Sequence, residues 1–393
     1  MSSALHERPD FSLVLGGPLF QLFRRAHLTG DALELLWRRV LVITGVAWLP
    51  LLLLSALSGS TYDATAGIAF LYDIEAHARF LIALPILIAA ELIVHQRIRP
   101  VVAQFVERGI VVPEELPKFQ HAIESTLRLR NSVIGEVALL VVVYTFGVWV
   151  WRGQIALETA SWYAIPDGER MQPTAAGYWY SFVSLPIFQF VLLRWYLRFF
   201  LWFWFLWRVA RLNLRLVPIH PDKTGGISFL GRSTNVFAPI LFAQGAVLAG
   251  LLASQILYAG QNLMAFQVQI ASFIAFFVVV IFIPLLVFTP HLVHAKRQGM
   301  GEFGRLASRY SRQFEQKWIQ GAPKDEALLG SADIQSLADL GNSYSFGQEM
   351  RFVPFGLKDV TRLAAVAAAP LLPLSLTVFA LDELAGYAIK VLF

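Results

Sequence analysis

Residues 40–57 read VLVITGVAWLPLLLLSAL, from Val40 to Leu57, with no charged side chain among them. About 20 mostly apolar residues in a helix cross the roughly 30 Å hydrocarbon core of a bilayer. The run is entered through Trp37, Arg38 and Arg39, residue types that favour the head-group region. It reads as a membrane-spanning helix. Six further runs of the same kind follow, at about 80–95, 133–151, 178 to beyond Arg194, 236–258, 268–288 and 363–379.

The composition agrees. The 393 residues are 56% hydrophobic and 15% charged, whereas a soluble domain has about 45–50% apolar and 25% charged residues. A soluble enzyme and a disordered chain are excluded. So is an outer-membrane barrel, whose strands would alternate over about ten residues. The expected fold is all-α: a polytopic integral membrane protein with about seven transmembrane helices. There is no cysteine, so disulfides and thiolate metal sites are unavailable to the chain. The first apolar run is too long for the core of a cleavable signal peptide, so none is expected.

Lysine and arginine in the loops give the orientation. With the N-terminus in the cytoplasm, all but Arg79, Arg152, Arg170 and Lys390 of the 32 basic residues fall on the inner side. The outer loops carry Asp63, Asp73, Glu75, Asp167 and Glu169 instead. Seven spans then put the C-terminus outside. Residues 1–96 hold the N-terminal segment and spans one and two. A cytoplasmic hairpin broken at Pro113 and Pro117 occupies 97–131, and 132–217 holds spans three and four. Residues 218–290 form a loop and spans five and six, 291–362 a helical cytoplasmic segment, and 363–393 the last span and tail.

Three features refine this picture. From 187 to 217 there is no glycine or proline, and one helix of that length would be roughly 46 Å long, so it must tilt or project. Its run from Phe199 to Trp207 fits an aromatic belt at the inner interface. Phe303, Leu306, Tyr310, Phe314 and Trp318 make one apolar stripe. A second short helix is expected over 332–340, with Ser331 as N-cap and Gly341 just past its end. These pieces build a helical cytoplasmic layer. In the last span, Pro370 and Pro373 predict a kink.

The stretch 333–343 (DIQSLADLGNS), followed by Glu349-Met350-Arg351 and Val353-Pro354-Phe355, resembles a family of bacterial inner-membrane proteins to which no activity is assigned. The loop His220-Pro221-Asp222 with Gly225-Gly226, and the Ala- and Pro-rich last span before Asp382-Glu383-Leu384, are similar to other parts of its signature. The resemblance runs from about residue 216 to the end. It implies a multi-pass protein of the bacterial inner membrane, and it implies no chemistry.

Ionisable groups inside a membrane must find partners. Glu91 and Glu136 each lie six residues from a basic residue, Arg97 and Arg130, roughly 9 Å inside the membrane edge. Arg194 and Arg198 share a helix face. A cluster of Glu91, Glu136, Arg194 and Arg198 is expected, with His95 one turn below. It is either a structural ion network or a site for permeation or ligand binding. In the fifth span Ala246, Gly250 and Ser254 form a small-residue row, and Gln244 and Gln255 lie about three turns apart. That face suits a pore or close helix packing.

In the loop between the fourth and fifth spans, His220, Asp222, Lys223, Gly225, Gly226 and Arg232 suggest an anion or head-group site built on backbone N–H groups. Asp222-Lys223-Thr224-Gly225 matches the start of the P-type ATPase phosphorylation sequence, but no nucleotide domain accompanies it, so the match is taken as coincidence. No metal site is expected: the closest pairs, His291 with His294, Glu91 with His95, and His121 with Glu124, offer two ligands each, and metals commonly take three or four. No Walker A, G-x-S-x-G or H-E-x-x-H sequence occurs, so no catalytic residue or cofactor is assigned.

The function expected first is a homo-oligomeric channel or channel-like receptor for ions or small solutes. A membrane enzyme or carrier for a lipid or polyprenyl substrate at the inner leaflet is the alternative. A scaffold or sensor for cytoplasmic partners is the third. The bilayer itself, including anionic head groups, is the expected partner. Nucleic acid is not, because the basic residues follow topology.

Overall fold

The computed structural model describes residues 11–18, 21, 35–62, 67–155, 161–167, 170–321 and 330–377. Six helices among them are long and apolar enough to cross a membrane. They are α1 (Leu36–Leu57), α2 (Ile74–Glu107), α5 (Ala175–Val209), α6 (Phe229–Ala259), α7 (Leu263–Gln320) and α9 (Leu357–Thr377). A further apolar helix, α4 (Val133–Ile155), stands where the third run was read. Two helices lie outside these runs, α3 (Leu116–Arg130) and α8 (Ala332–Gln348). A two-stranded antiparallel ribbon, β1 (Ala164–Asp167) and β2 (Arg170–Pro173), joins α4 to α5. The protein is a multi-pass α-helical membrane protein.

α2 and α5 solve the same problem alike. Each carries a proline near its middle, Pro85 and Pro186, and each has a π-helical turn just before it, Ala78–Ala83 and Tyr180–Ser184. Proline lacks an N–H and crowds the carbonyl four residues back. The wider turn absorbs that conflict without ending the helix. In α7 a 3₁₀ stretch, Ile283–Phe288, does the same beside Pro284 and Pro290.

α6 lies lengthwise between α2 and α9. Its small side allows the approach: a Cβ on Gly245 would sit 2.4 Å from the Ala367 carbonyl oxygen, and one on Gly250 would sit 2.7 Å from Ala78 Cβ. α5 packs on α4, α3 and α2.

The two ends of the bundle differ in character. At one end Trp162 donates to Asp73 (2.8 Å), and Asp73 also accepts from the Ala76 N–H (2.9 Å). At the other, basic end, the chain leaving α5 pairs Leu214 with Val111, and the Arg215 N–H bonds to the Ile110 carbonyl at 2.8 Å.

Several boundaries depart from the sequence reading. The fourth-span helix stops at Val209, well short of residue 217, because the chain turns there to pair with residues 110–111. It gains the lost length at its other end, running back through Pro186 to Ala175. The aromatic run is only partly a belt. Trp202 and Phe205 are buried against Phe11, while Trp204 and Trp207 stay half-buried beneath Arg208 and Arg211. α8 runs past Gly341 to Gln348. Gly341 meets open space, and packing on α7 carries the helix through it. There Lys317 and Trp318 both donate to Asp333 (2.7 and 3.0 Å), and Tyr310 bonds to the Asp333 carbonyl. The last described residues of α9, Ala369–Thr377, are 3₁₀-helical around Pro373. Asp382, Glu383, Leu384 and Lys390 lie outside the described residues.

Candidate functional site

The helical phase of α1, α2, α4 and α5 brings ionisable groups together inside the bundle. Glu91, buried on α2, is met by Arg198 (2.6 Å), Arg39 (2.6 Å) and Arg194 (3.6 Å). Arg194 also reaches Glu136 of α4 at 3.5 Å. All five side chains are buried. The structure thus gathers Glu91, Glu136, Arg194 and Arg198, and it adds Arg39. Arg198 lies over the Trp195 ring at 4.7 Å, and the Trp195 indole N–H bonds to the Leu87 carbonyl at 2.9 Å. The cluster is therefore held by side chains that are themselves fixed.

Arg39 escaped the sequence reading because Arg38-Arg39 looks like a pair of topology-setting charges. The signal was its phase. Ile43, half-buried, and Ala47, Leu51 and Ser55, all buried, continue the row of Arg39 at spacings of four, whereas Arg38 is exposed. Small residues along that row mark a packed face.

Residues 11–18, a stretch without helical or strand periodicity, lie beneath the cluster on the basic side. Ser12 Oγ is 2.9 Å from His95 Nδ1, and Arg130 donates to the Ser12 carbonyl. Gly17, at φ +89°, brings the backbone so close that a Cβ there would sit 2.9 Å from Glu136 Oε1. His95 is thus a neighbour of this segment and lies below the ion pairs.

Two clefts open from the cluster to the outer surface of the bundle. The first, about 270 Å³, lies between α1, α2 and α5. Its walls are Val42, Val46, Ile88 and Val191, and its polar end is Arg39, Glu91 and Arg194. The second, about 610 Å³, lies between α4 and α5. Val137, Leu140 and Val183 line it, and Glu136 is at its end. Ile187 and Phe190 of α5 form a ridge shared by both.

The other candidates are placed differently. Gln244 is buried and donates to the Tyr196 hydroxyl at 2.5 Å, and Ala246 and Gly250 are buried in the α6 packing face. Ser254 and Gln255 are half-buried nearer the end of α6. In the loop, the N–H groups expected to face an anion face Asp222 instead. Its carboxylate accepts from Thr224 (2.8 Å), Gly226 (3.1 Å) and Ser228 (3.1 Å), with His220 Nδ1 at 2.9 Å. Burial would raise the Asp222 pKa, but these donors and His220 outweigh it and hold it at about 2. Lys223, at φ +58°, pairs with Glu349, and Gly225 and Gly226 also take positive φ. Arg232 stands apart, lining a cleft with Arg97 and Arg108. Among the described residues no group of three metal-ligating side chains occurs.

No family model, curated protein or solved structure matches the chain. The functional reading therefore rests on the site.

Proposed function

We propose that the protein binds an anionic amphiphile of the inner leaflet. The head group sits against Arg39 and Arg194, and a hydrocarbon chain lies in the cleft between α1, α2 and α5. The observation that carries this reading is the shape and chemistry of that cleft. Its walls are apolar and its inner end carries two arginine side chains and Glu91. Arginine presents a planar fork of donors that matches carboxylate and phosphate, and in a membrane such a side chain marks a functional site by default. Besides Glu91 the described lining holds no hydroxyl, thiol or imidazole, which favours binding or carriage over chemistry.

In this reading the N-terminus and the basic end face the cytoplasm, α4 is a seventh span, and the C-terminus lies outside. The membrane is the bacterial inner membrane, as the resemblance implies. Along α5 the order Ile187, Phe190, Arg194 runs toward the basic end, so the cleft extends from the arginines toward the bilayer centre, as the chain of an inner-leaflet lipid does. The channel expectation has less support, since Gln244 is engaged by Tyr196 within the chain.

Native mass spectrometry of the detergent-solubilised protein, with phosphatidylglycerol and phosphatidylcholine in equal amounts, tests the proposal. Wild type should retain the anionic lipid in preference by about tenfold. Val46→Trp, which fills the cleft from an exposed position, should abolish the preference. Equal retention of both lipids by wild type would contradict it. Ion flux in liposomes that changes in Gln244→Leu would favour the channel instead.

A further inference from the structure

The cleft lined by Arg97, Arg108 and Arg232 lies outside the buried ion cluster and differs from it in character. It encloses about 620 Å³ at the basic end of the bundle, between the last turns of α2 and the first turns of α6. Arg97 lies six residues beyond Glu91, roughly 9 Å nearer the basic end. Arg97 and Arg108 are eleven residues apart, about three helical turns, so they share one face of α2. Arg99, also exposed, lies on another face and does not line the cleft. α2 and α6 run antiparallel here: Arg108 lies over the Phe229 ring at 5.1 Å, and Gly250 meets Ala78. Arg232, one turn on from Phe229, therefore falls on the facing wall between Arg97 and Arg108. The bias of basic residues toward one side of a membrane sets topology wherever the side chains point. It does not bring three guanidiniums to one groove.

The polar groups of this cleft differ in what they have left to donate. Gln104 donates to the Pro100 carbonyl (3.4 Å), the Ser233 hydroxyl to the Leu230 carbonyl (2.7 Å) and the Asn235 amide to the Arg232 carbonyl (3.1 Å). The neutral side chains are thus committed within their own helices. Arg108 donates one N–H to the Gly226 carbonyl at 3.3 Å and is steadied by Phe229, which leaves most of its five donors. Among the described residues, Arg97 and Arg232 make no ion pair and no side-chain hydrogen bond. Glu107 also lines the cleft and is itself engaged, so recognition comes from the guanidinium donors and not from a count of charges. Forked guanidinium donors match the oxygens of a phosphate in charge and geometry. We propose that this cleft binds a phosphate ester between Arg97, Arg232 and Arg108. Its source is either a lipid head group at the membrane surface or a soluble phosphorylated molecule. The site shares no lining residue with the cleft between α1, α2 and α5, and it does not depend on the lipid reading above.

The test is calorimetric titration of the full chain in detergent, with glycerol 3-phosphate as the soluble probe and dihexanoyl phosphatidate as the lipid probe. Three variants accompany wild type. Arg97→Gln/Arg232→Gln removes the two unengaged forks. Arg128→Gln/Arg305→Gln removes the same charge from exposed positions outside the cleft. Val46→Trp fills the cleft between α1, α2 and α5. Wild type should bind at least one probe saturably, and the Arg97/Arg232 pair should weaken that binding by about tenfold or more. The Arg128/Arg305 pair and Val46→Trp should keep wild-type affinity. Equal affinity for the two probes assigns the site to a soluble phosphate ester, and tighter binding of phosphatidate assigns it to a lipid head group. Binding of neither probe by wild type would overturn the proposal. Equal weakening by the two arginine pairs would also overturn it, because a general surface field would then explain the binding. Loss of binding in Val46→Trp alone would overturn it as well, and would place the phosphate in the other cleft.

Discussion

At the scale of single residues, the interior of the bundle is organised by Glu91. Removing one partner of a buried, paired charge is costly because the remaining charges lose compensation, typically about 3–5 kcal/mol. Glu91→Gln leaves Arg39, Arg194 and Arg198 facing one another, and it should lower stability by about that amount. Thermal unfolding in detergent reads it, and an unchanged midpoint would show that the pairs with Glu91 contribute nothing. Adding Arg198→Met should recover part of the loss.

Asp222 makes a second prediction. Its native pKa of about 2 lies below its ordinary value of 3.8, so the stability it contributes is fully present above pH 3.8 and is lost as the pH falls toward 2. Asp222→Asn should cost about 2 kcal/mol at neutral pH, with the gap to wild type closing over that acid range. A gap independent of pH would contradict the carboxylate's role.

Much of the residue-level site was legible. Glu91, Glu136, Arg194 and Arg198 stand out because charge is rare in apolar runs. Arg39 was hidden because a charge at a run's edge has two readings, and only the packed row behind it separates them. The approach of residues 11–18 had no sequence signal, since a short extended segment carries no periodicity.

At the scale of elements, two glycines in helices separate packing from propensity. Gly245→Ala pushes a Cβ into the Ala367 carbonyl, so α6 and α9 must part, and the variant should lose about 1–3 kcal/mol, the usual cost of overpacking. Gly341→Ala meets open space in the middle of α8, and should gain up to about 1 kcal/mol from helix propensity. Denaturation of the two variants beside wild type checks both signs. The same contrast explains where the sequence misled. Gly341 reads locally as a helix end, and the stripe from Phe303 to Trp318 overrides it by packing. The missing glycine and proline between 187 and 217 read as one helix, but β-type pairing of Leu214 with Val111 ends it early. Such long-range contacts are invisible to local pattern. The spans themselves were legible because each is an independent apolar run.

At the scale of the whole molecule, the proposed orientation puts the basic end in the cytoplasm, a reading that rests on the charge asymmetry of the loops. The absence of cysteine makes this easy to check with single-cysteine variants. Arg312→Cys, on the projecting part of α7, should react with a membrane-impermeant maleimide only after cells are permeabilised. Tyr258→Cys, at the opposite end, should react in intact cells. Reversed labelling would contradict the orientation. In the proposed function the Arg39–Glu91–Arg194 cluster receives the head group of an anionic lipid through a membrane-facing cleft. The most direct measurement is an electron cryomicroscopy map of the protein in nanodiscs containing phosphatidylglycerol. Phosphate density is expected against Arg39 and Arg194, with chain density running along Phe190 toward the bilayer centre. A map with that cleft closed, or with no ordered head group at the arginines, would contradict it.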